Sequence, residues 1–455
     1  MERLGIPTVI IAAAAFVLPL DATARAKGFP ALPYVTVPKV YNNLSADEAR
    51  EQTLGIVGDV LDLLEVDGRA HLVAEGGGDR ATRRSVPEQL DWDHDTATPA
   101  SSRALTSRGW SDGSLVLPPS ADEVDRFVAR HPDIDPDAEL FSMPPGQGVA
   151  TLRLIAANAV MAGCEPEDLP IVVSCLRAIV VMPDPMRTVG LSSTSAHAPL
   201  FVLNGPGREH LGDSTRRNVL GPGTENEVGI RITRAVVMAL RNIGQWKPGV
   251  LDNDVMGSPR KFGMIVAENE IESPWSSYAQ DQGYSPDDDV LTMVVTSGEW
   301  DIGFQGQISV DNLIAAIAAK NGPVDLAGYF RQYAGPDHPH EGRMLLISPA
   351  HATPIADGGF DKVQLRTRLR DEMAATVRQL REPLRKLAEQ GNVREEYRHL
   401  FELSDAEASE LIYPMIEEVA DMRVVVCGSI RGKNAMFPTT GGAVTIPVSI
   451  TSPDA

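Results

Sequence analysis

Ile6-Pro7-Thr8-Val9-Ile10-Ile11-Ala12-Ala13-Ala14-Ala15-Phe16-Val17-Leu18-Pro19-Leu20, followed by Ala22-Thr23-Ala24-Arg25-Ala26, admits two readings. Arg3, an apolar run and small residues after it have the order of a secretory leader. The run is too short to span a bilayer as a helix. The competing reading is a buried strand over residues 6–12, a helix over 20–27 and a second strand over 34–37. Glu2 beside Arg3 leaves the leading charge neutral. Short apolar runs bounded by Gly and Pro suit parallel strands covered on both faces. The strand reading makes the N-terminus a βαβ segment. Such a fragment cannot cover its own sheet edges, so another part of this chain or a partner must complete it. It also places the chain in the cytoplasm rather than in a secreted class.

Outward from this segment, Ser45 is placed to cap a helix running to residue 64, with Asp47 and Glu48 in its first turn. Residues 75–108 turn polar and Gly-rich, the composition of a linker or loop. The expected division is an N-terminal α/β segment over 1–66, a polar linker over 67–108 and a main α/β domain over 109–455. Within the last, strands are expected at 199–203, 264–267, 290–296, 344–348 and 423–427. Helices are expected at 121–130, 149–162, 169–182, 226–243, 309–320, 361–389 and 405–420. This alternation is an α/β pattern, here with a partial Rossmann-like start and a mixed sheet in the larger domain.

The 455 residues carry 43% hydrophobic and 23% charged residues, enough to bury a core. With 62 acidic against 41 basic residues, the net charge is -21. That balance argues against nucleic acid or an anionic membrane as the main partner. Three cysteines, Cys164, Cys175 and Cys427, rule out a disulfide framework and a Cys-rich metal site.

The chemistry concentrates between His197 and Trp275. Asn204-Gly205-Pro206 follows one strand, and Asn218 with Gly221-Pro222-Gly223 precedes a helix, a pattern that aims backbone N–H groups at an anion. Glu268-Asn269-Glu270-Ile271-Glu272 follows the next strand, where polar residues line ligand crevices in α/β sheets. Glu268 and Glu270 are candidates for acid–base work or for holding a divalent metal, the cofactor such glutamates would accept. An acidic surface turn is the alternative. Cys164, between two helices, is a candidate for a lowered pKa, against the alternative of an inert core thiol. Cys427-Gly428-Ser429 ends a strand and is a weaker thiolate candidate. His351, after the strand at 344–348, is the one histidine placed to be a metal ligand.

Several motifs together resemble the UGSC family of cysteine or selenocysteine proteins. They are Trp110-Ser111-Asp112-Gly113, Asn158-Ala159-Val160-Met161-Ala162-Gly163-Cys164, Asn204-Gly205-Pro206, Leu220-Gly221-Pro222-Gly223, Gly257-Ser258-Pro259 with Lys261, and Ala267-Glu268-Asn269-Glu270 with Ser273-Pro274-Trp275. Glu2-Arg3-Leu4-Gly5-Ile6-Pro7-Thr8-Val9 resembles the strand that follows the family's Cys-Gly-Ser-Cys loop. The family is similar to the thiol- or selenol-bearing subunit of glycine and betaine reductases.

The resemblance implies a large subunit of a hetero-oligomeric, thiol-dependent enzyme that breaks or forms a carbon–sulfur or carbon–nitrogen bond on a small anionic substrate. A small partner subunit with a Cys-Gly-Ser-Cys motif would supply the nucleophile. Catalysis would fall to Glu268, Glu270 and Cys164. Substrate contacts would fall to Asn204, Gly205, Asn218, Gly221, Lys261, Asn269, Trp275 and His197. Two departures stand out: Glu299-Trp300-Asp301 and Lys433-Asn434-Ala435 occupy positions where the family is expected to carry histidine. Two other readings stay open, a stand-alone metal-assisted lyase or hydrolase built on the glutamates, and a non-catalytic scaffold.

Overall fold

The computed structural model describes residues 8–26, 29, 32–41, 44–65, 97–184, 186–304, 309–319, 341–391, 393, 397–429 and 431–451. The chain forms two compact units, one from 1–161, 191–194 and 238–255, the other from 162–190, 195–237 and 256–455.

In the first unit, strand β1 (Ile10–Ala13) pairs in parallel with β2 (Tyr34–Val37), joined through the helix Val17–Ala26. This is the βαβ segment expected from the sequence; the start of its first strand, at 6–7, lies outside the described residues. The helix Ala46–Glu65 lays Ile56, Val60 and Leu63 over Val35 and Val37. Glu48 accepts from the Ser45 backbone N–H (2.9 Å) and hydroxyl (2.8 Å), closing the helix start. The linker expected over 67–108 lies outside the described residues up to 96, and its remainder differs from the expectation. Ala97–Ser107 is a helix. It buries Ser101, Ser102 and Leu105, and the Ser102 hydroxyl accepts from Val116 N–H at 3.1 Å. Small hydroxylated residues read as loop by composition, yet they pack well where backbones come close. Strands β3 (Glu139–Met143) and β4 (Gly148–Thr151) form an antiparallel hairpin, and β4 runs directly into the helix Leu152–Ala162.

The second unit is built on a mixed sheet. Strands β5 (Ala198–Asn204), β6 (Met264–Ala267), β7 (Val290–Thr296), β8 (Trp300–Ile302), β9 (Glu341–Ile347), β12 (Met422–Val426), β13 (Asn434–Thr440) and β14 (Val444–Pro447) belong to it. Its order is β12-β9-β13-β7-β5-β6, with β14 beside β7 and β8 beside β13. The two edge pairs, β5–β6 and β9–β12, are parallel; the central pairings are antiparallel. Strands β5, β7, β9 and β12 are buried along their whole length, as continuous apolar runs require.

Period-two alternation sorts their side chains onto two cores. Leu345, Ile347, Val424 and Val426 pack against the helices Val310–Ala319 and Lys362–Glu372. Met344, Leu346, Val425 and Cys427 turn to the other face, with Leu200, Val202 and Val266. Because that core contains residues from both edges, the sheet is strongly curled. Its edges meet just past β6 and at the end of β12, where Asn269 N–H donates to Val426 O at 2.7 Å.

The long helix expected over 361–389 is interrupted. It stops at Glu372, and β10 (Ala374–Thr376) pairs with β11 (Ile412–Pro414), which also cuts the helix expected over 405–420 to Asp405–Glu410. Ala-Ala-Thr carries no decisive preference, so the pairing partner decides.

Candidate functional site

The site grows from two parallel strand ends. Leu203 is in register with Ala267, so the next residues, Asn204 and Glu268, emerge side by side at one rim of the sheet. The Asn204 amide donates to Glu268 Oε2 (2.6 Å) and to Glu270 Oε1 (2.9 Å). Gly205 N–H donates to the same Glu270 oxygen at 2.9 Å. Gly205 adopts φ +85°, and a Cβ there would run into Asp288 O, so this close turn requires glycine. The Arg208 guanidinium lies 3.4 Å from Glu270 Oε2 and donates to Gly205 O at 2.6 Å.

The two glutamates differ in setting. Glu268 is fully buried; its Oε2 also accepts from Tyr278 N–H at 2.7 Å. Burial pushes its carboxyl above the ordinary range and the charge of Glu270 adds to this, while Lys362, the Tyr278 N–H and the Asn204 amide oppose it. Glu270 stays 16% exposed and ion-paired with Arg208, so it is the outward-facing carboxylate of the two. Asn204 Oδ1 is buried without a hydrogen-bond partner. Asn269 locks the neighbouring loop: its amide donates to Glu272 Oε2 (2.7 Å) and Gly428 O (2.9 Å). Behind the rim, Lys362 donates to Ser276 O (2.6 Å) and Asp281 (2.9 Å), and Arg366 donates to Asp281 at 2.7 Å.

Asn204, Gly205, Glu268, Asn269 and Glu270 therefore meet as one cluster. The other residues read from the sequence do not join it. Lys261 sits in the turn Pro259–Phe262 ahead of β6, and His197 stands ahead of β5. In parallel strands the N-terminal flanks lie at the end away from Asn204 and Glu268. Arg260 ties those flanks together by donating to Ala196 O (3.0 Å) and Thr296 Oγ1 (3.0 Å). Asn218, at φ +52°, commits its amide to Pro222 O (2.7 Å) and Glu225 (3.3 Å), with Gly221 packed on it; both build a turn. Trp275 donates from its indole to Phe360 O at 3.1 Å and packs into the helical core.

Cys164 corrects the expectation of an activated thiol. It is buried, donates to Arg231 O at 3.3 Å, and burial with nearby Asp168 pushes its pKa well up, against Arg231 and Arg234. Cys175 is raised by burial alone, and Cys427 by burial and the charge of Glu268. His351 is buried at the start of the helix Pro349–Asp357, its Nδ1 3.1 Å from Asn434 Oδ1. Among the described residues no group of three or more His, Cys, Asp or Glu side chains is arranged to hold a metal ion.

Sequence reasoning passed over Arg208, Lys362 and Asp281. Arg208 sat four residues beyond Asn204 and was findable. Lys362 and Asp281 come from elements whose meeting no local pattern announces. Also unforeseen was the pairing of His210 Nε2 with buried Asp168 (2.6 Å), which accepts from Arg231 Nε at 2.6 Å too. Burial opposes the ionisation of Asp168, but the bonds from His210, Arg231 and Glu165 N–H outweigh it and hold the carboxyl below its usual range.

Fold and site define an α/β protein with a carboxylate-rich rim at the C-terminal ends of parallel strands. Residues 1–66 match the sequence model of the UGSC family, which supports the family resemblance through that segment and is compatible with a relative of the glycine and betaine reductases. No curated protein matches the chain. Among the described residues no single helix is long and apolar enough to cross a membrane.

Proposed function

We propose that this chain is the large subunit of a hetero-oligomeric, thiol-dependent enzyme acting on a carbon–heteroatom bond of a small substrate, with the nucleophilic sulfur contributed by a small Cys-Gly-Ser-Cys partner. The observation that carries the reading is the state of the chain's own cysteines. All three are buried with thiols pushed well above their ordinary value, so none is poised as a thiolate. The match of 1–66 to a cysteine or selenocysteine family then favours sulfur from outside.

In this reading Glu270 takes the proton from the incoming thiol. The thiolate forms a carbon–sulfur bond as the carbon–heteroatom bond breaks. The departing heteroatom keeps the bonding pair and receives the same proton back from Glu270. Glu268 accepts from the Asn204 amide and so orients it beside Glu270. Lys261 lies at the far end of β6, and the cation at the rim is Arg208, paired with Glu270. Among the described residues the arrangement of acidic side chains gives the metal-assisted alternative no support.

Alkylation by iodoacetamide near pH 8 tests the carrying observation. The native chain is expected to keep all three thiols unmodified over hours while the denatured chain loses them, and co-expression with the small partner is expected to yield a complex with a rapidly alkylated cysteine on the partner. Rapid native labelling of Cys427 or Cys164 would sink the proposal. Glu270→Gln in the complex should lower turnover by about 10²–10⁴; unchanged turnover would favour a scaffold.

A further inference from the structure

The helix Ala46–Glu65 carries two faces, and its own unit uses one. Ile56, Val60 and Leu63 close over β2. Leu54, Val57 and Leu61 point the other way and are 67%, 41% and 54% exposed. Their spacing of three and four residues is that of a coiled-coil seam, which half-buried Leu64 continues. Gly58 flanks the seam, and Gly55 lies farther round the helix. Among the described residues a Cβ at either would meet nothing within 4 Å. Each costs the helix about 1 kcal/mol relative to alanine. Bare backbone beside an apolar seam lets a second helix approach closely.

The charges choose among occupants. The helix holds six acidic residues and one arginine; exposed Glu51 and Glu65 flank the seam, with Asp62 beyond them. A second copy would set this acidic face against itself, and an anionic membrane would be repelled. We infer that the Leu54–Val57–Leu61 face of this helix docks an amphipathic helix of a partner polypeptide whose apolar seam is flanked by lysine or arginine. The interaction is independent of the sulfur chemistry proposed above; it would hold if the partner carried no thiol.

The full chain is titrated, by fluorescence anisotropy, into two labelled synthetic helices of roughly 21 residues, three heptads with leucine at a and d and either lysine or glutamate at e and g. The lysine peptide is expected to bind, weakening as salt is raised, and the glutamate peptide is not. Leu54→Ser with Leu61→Ser should weaken the lysine peptide by about tenfold or more with an unchanged circular dichroism spectrum, because both side chains are exposed. Equal binding of the two peptides, or an unaffected double variant, overturns the inference. So does self-association of the wild-type chain in sedimentation that the double variant abolishes, since it would make the occupant a second copy.

Discussion

At Glu268 burial and hydrogen bonding pull in opposite directions, and burial wins. A carboxyl whose folded pKa is raised binds its proton more tightly when native than when unfolded. Its contribution to stability is therefore full below the ordinary glutamate range and is lost as pH rises from that range through the folded value. Glu268→Gln, a neutral isostere, removes this dependence. In urea melts from about pH 4 to 7, the variant should gain on the wild-type protein as pH rises; parallel curves would contradict the assignment. Glu268→Ala is a different experiment. It strands the Tyr278 N–H and one of the two Asn204 amide bonds and should cost about 2–4 kcal/mol near pH 4, less as pH rises.

Among the elements, the turn after β5 sets the site. Gly205 offers its N–H to Glu270 only in a left-handed conformation with no room for a side chain. Gly205→Ala should lower stability by about 2 kcal/mol or more in thermal melts. The helix Leu169–Val181 begins where Asp168 anchors His210 and Arg231. Asp168→Asn leaves the partly buried His210 and the Arg231 guanidinium short of an acceptor and should cost about 3 kcal/mol. Because the folded pKa of Asp168 is lowered, its contribution is present above the usual aspartate range and fades as pH falls through the folded value. The wild-type minus variant difference should accordingly shrink in acid, as followed by chemical denaturation.

On the scale of the whole chain, the curl of the second unit's sheet brings its two edges together. The backbone bond from Asn269 to Val426 closes it, and the Asn269 side chain braces that closure against Gly428. Asn269→Ala keeps the backbone bond but removes the brace. Amide exchange at Asn269 and at the end of β12 should then quicken about tenfold, with global stability reduced by about 1 kcal/mol. Unchanged exchange there would show that the edges hold without the side chain.

The strands and the composition of the rim were legible in the sequence because both are local. Pro199-Leu200-Phe201-Val202-Leu203 and Met264-Ile265-Val266-Ala267 can be little other than buried strands, and a polar residue directly after each must stand at a strand end. The N-terminal βαβ segment was legible for the same reason. What sequence could not settle was which ends are neighbours. Lys261 and His197 lie as near in sequence to these strands as Glu268 and Asn204 do, but parallel pairing sends the two pairs to opposite ends of the sheet. The break of the helix at 373 and the burial of Cys164 and Cys427 were likewise decided by distant partners, β11 in one case and the packed faces of the second unit in the other, whereas Cys175 among Val172, Val173 and Leu176 was legible as core. Local pattern fixes which residues can be inside. Only tertiary contact fixes which of them meet, because the energies that choose a pairing belong to surfaces built from segments far apart in the chain.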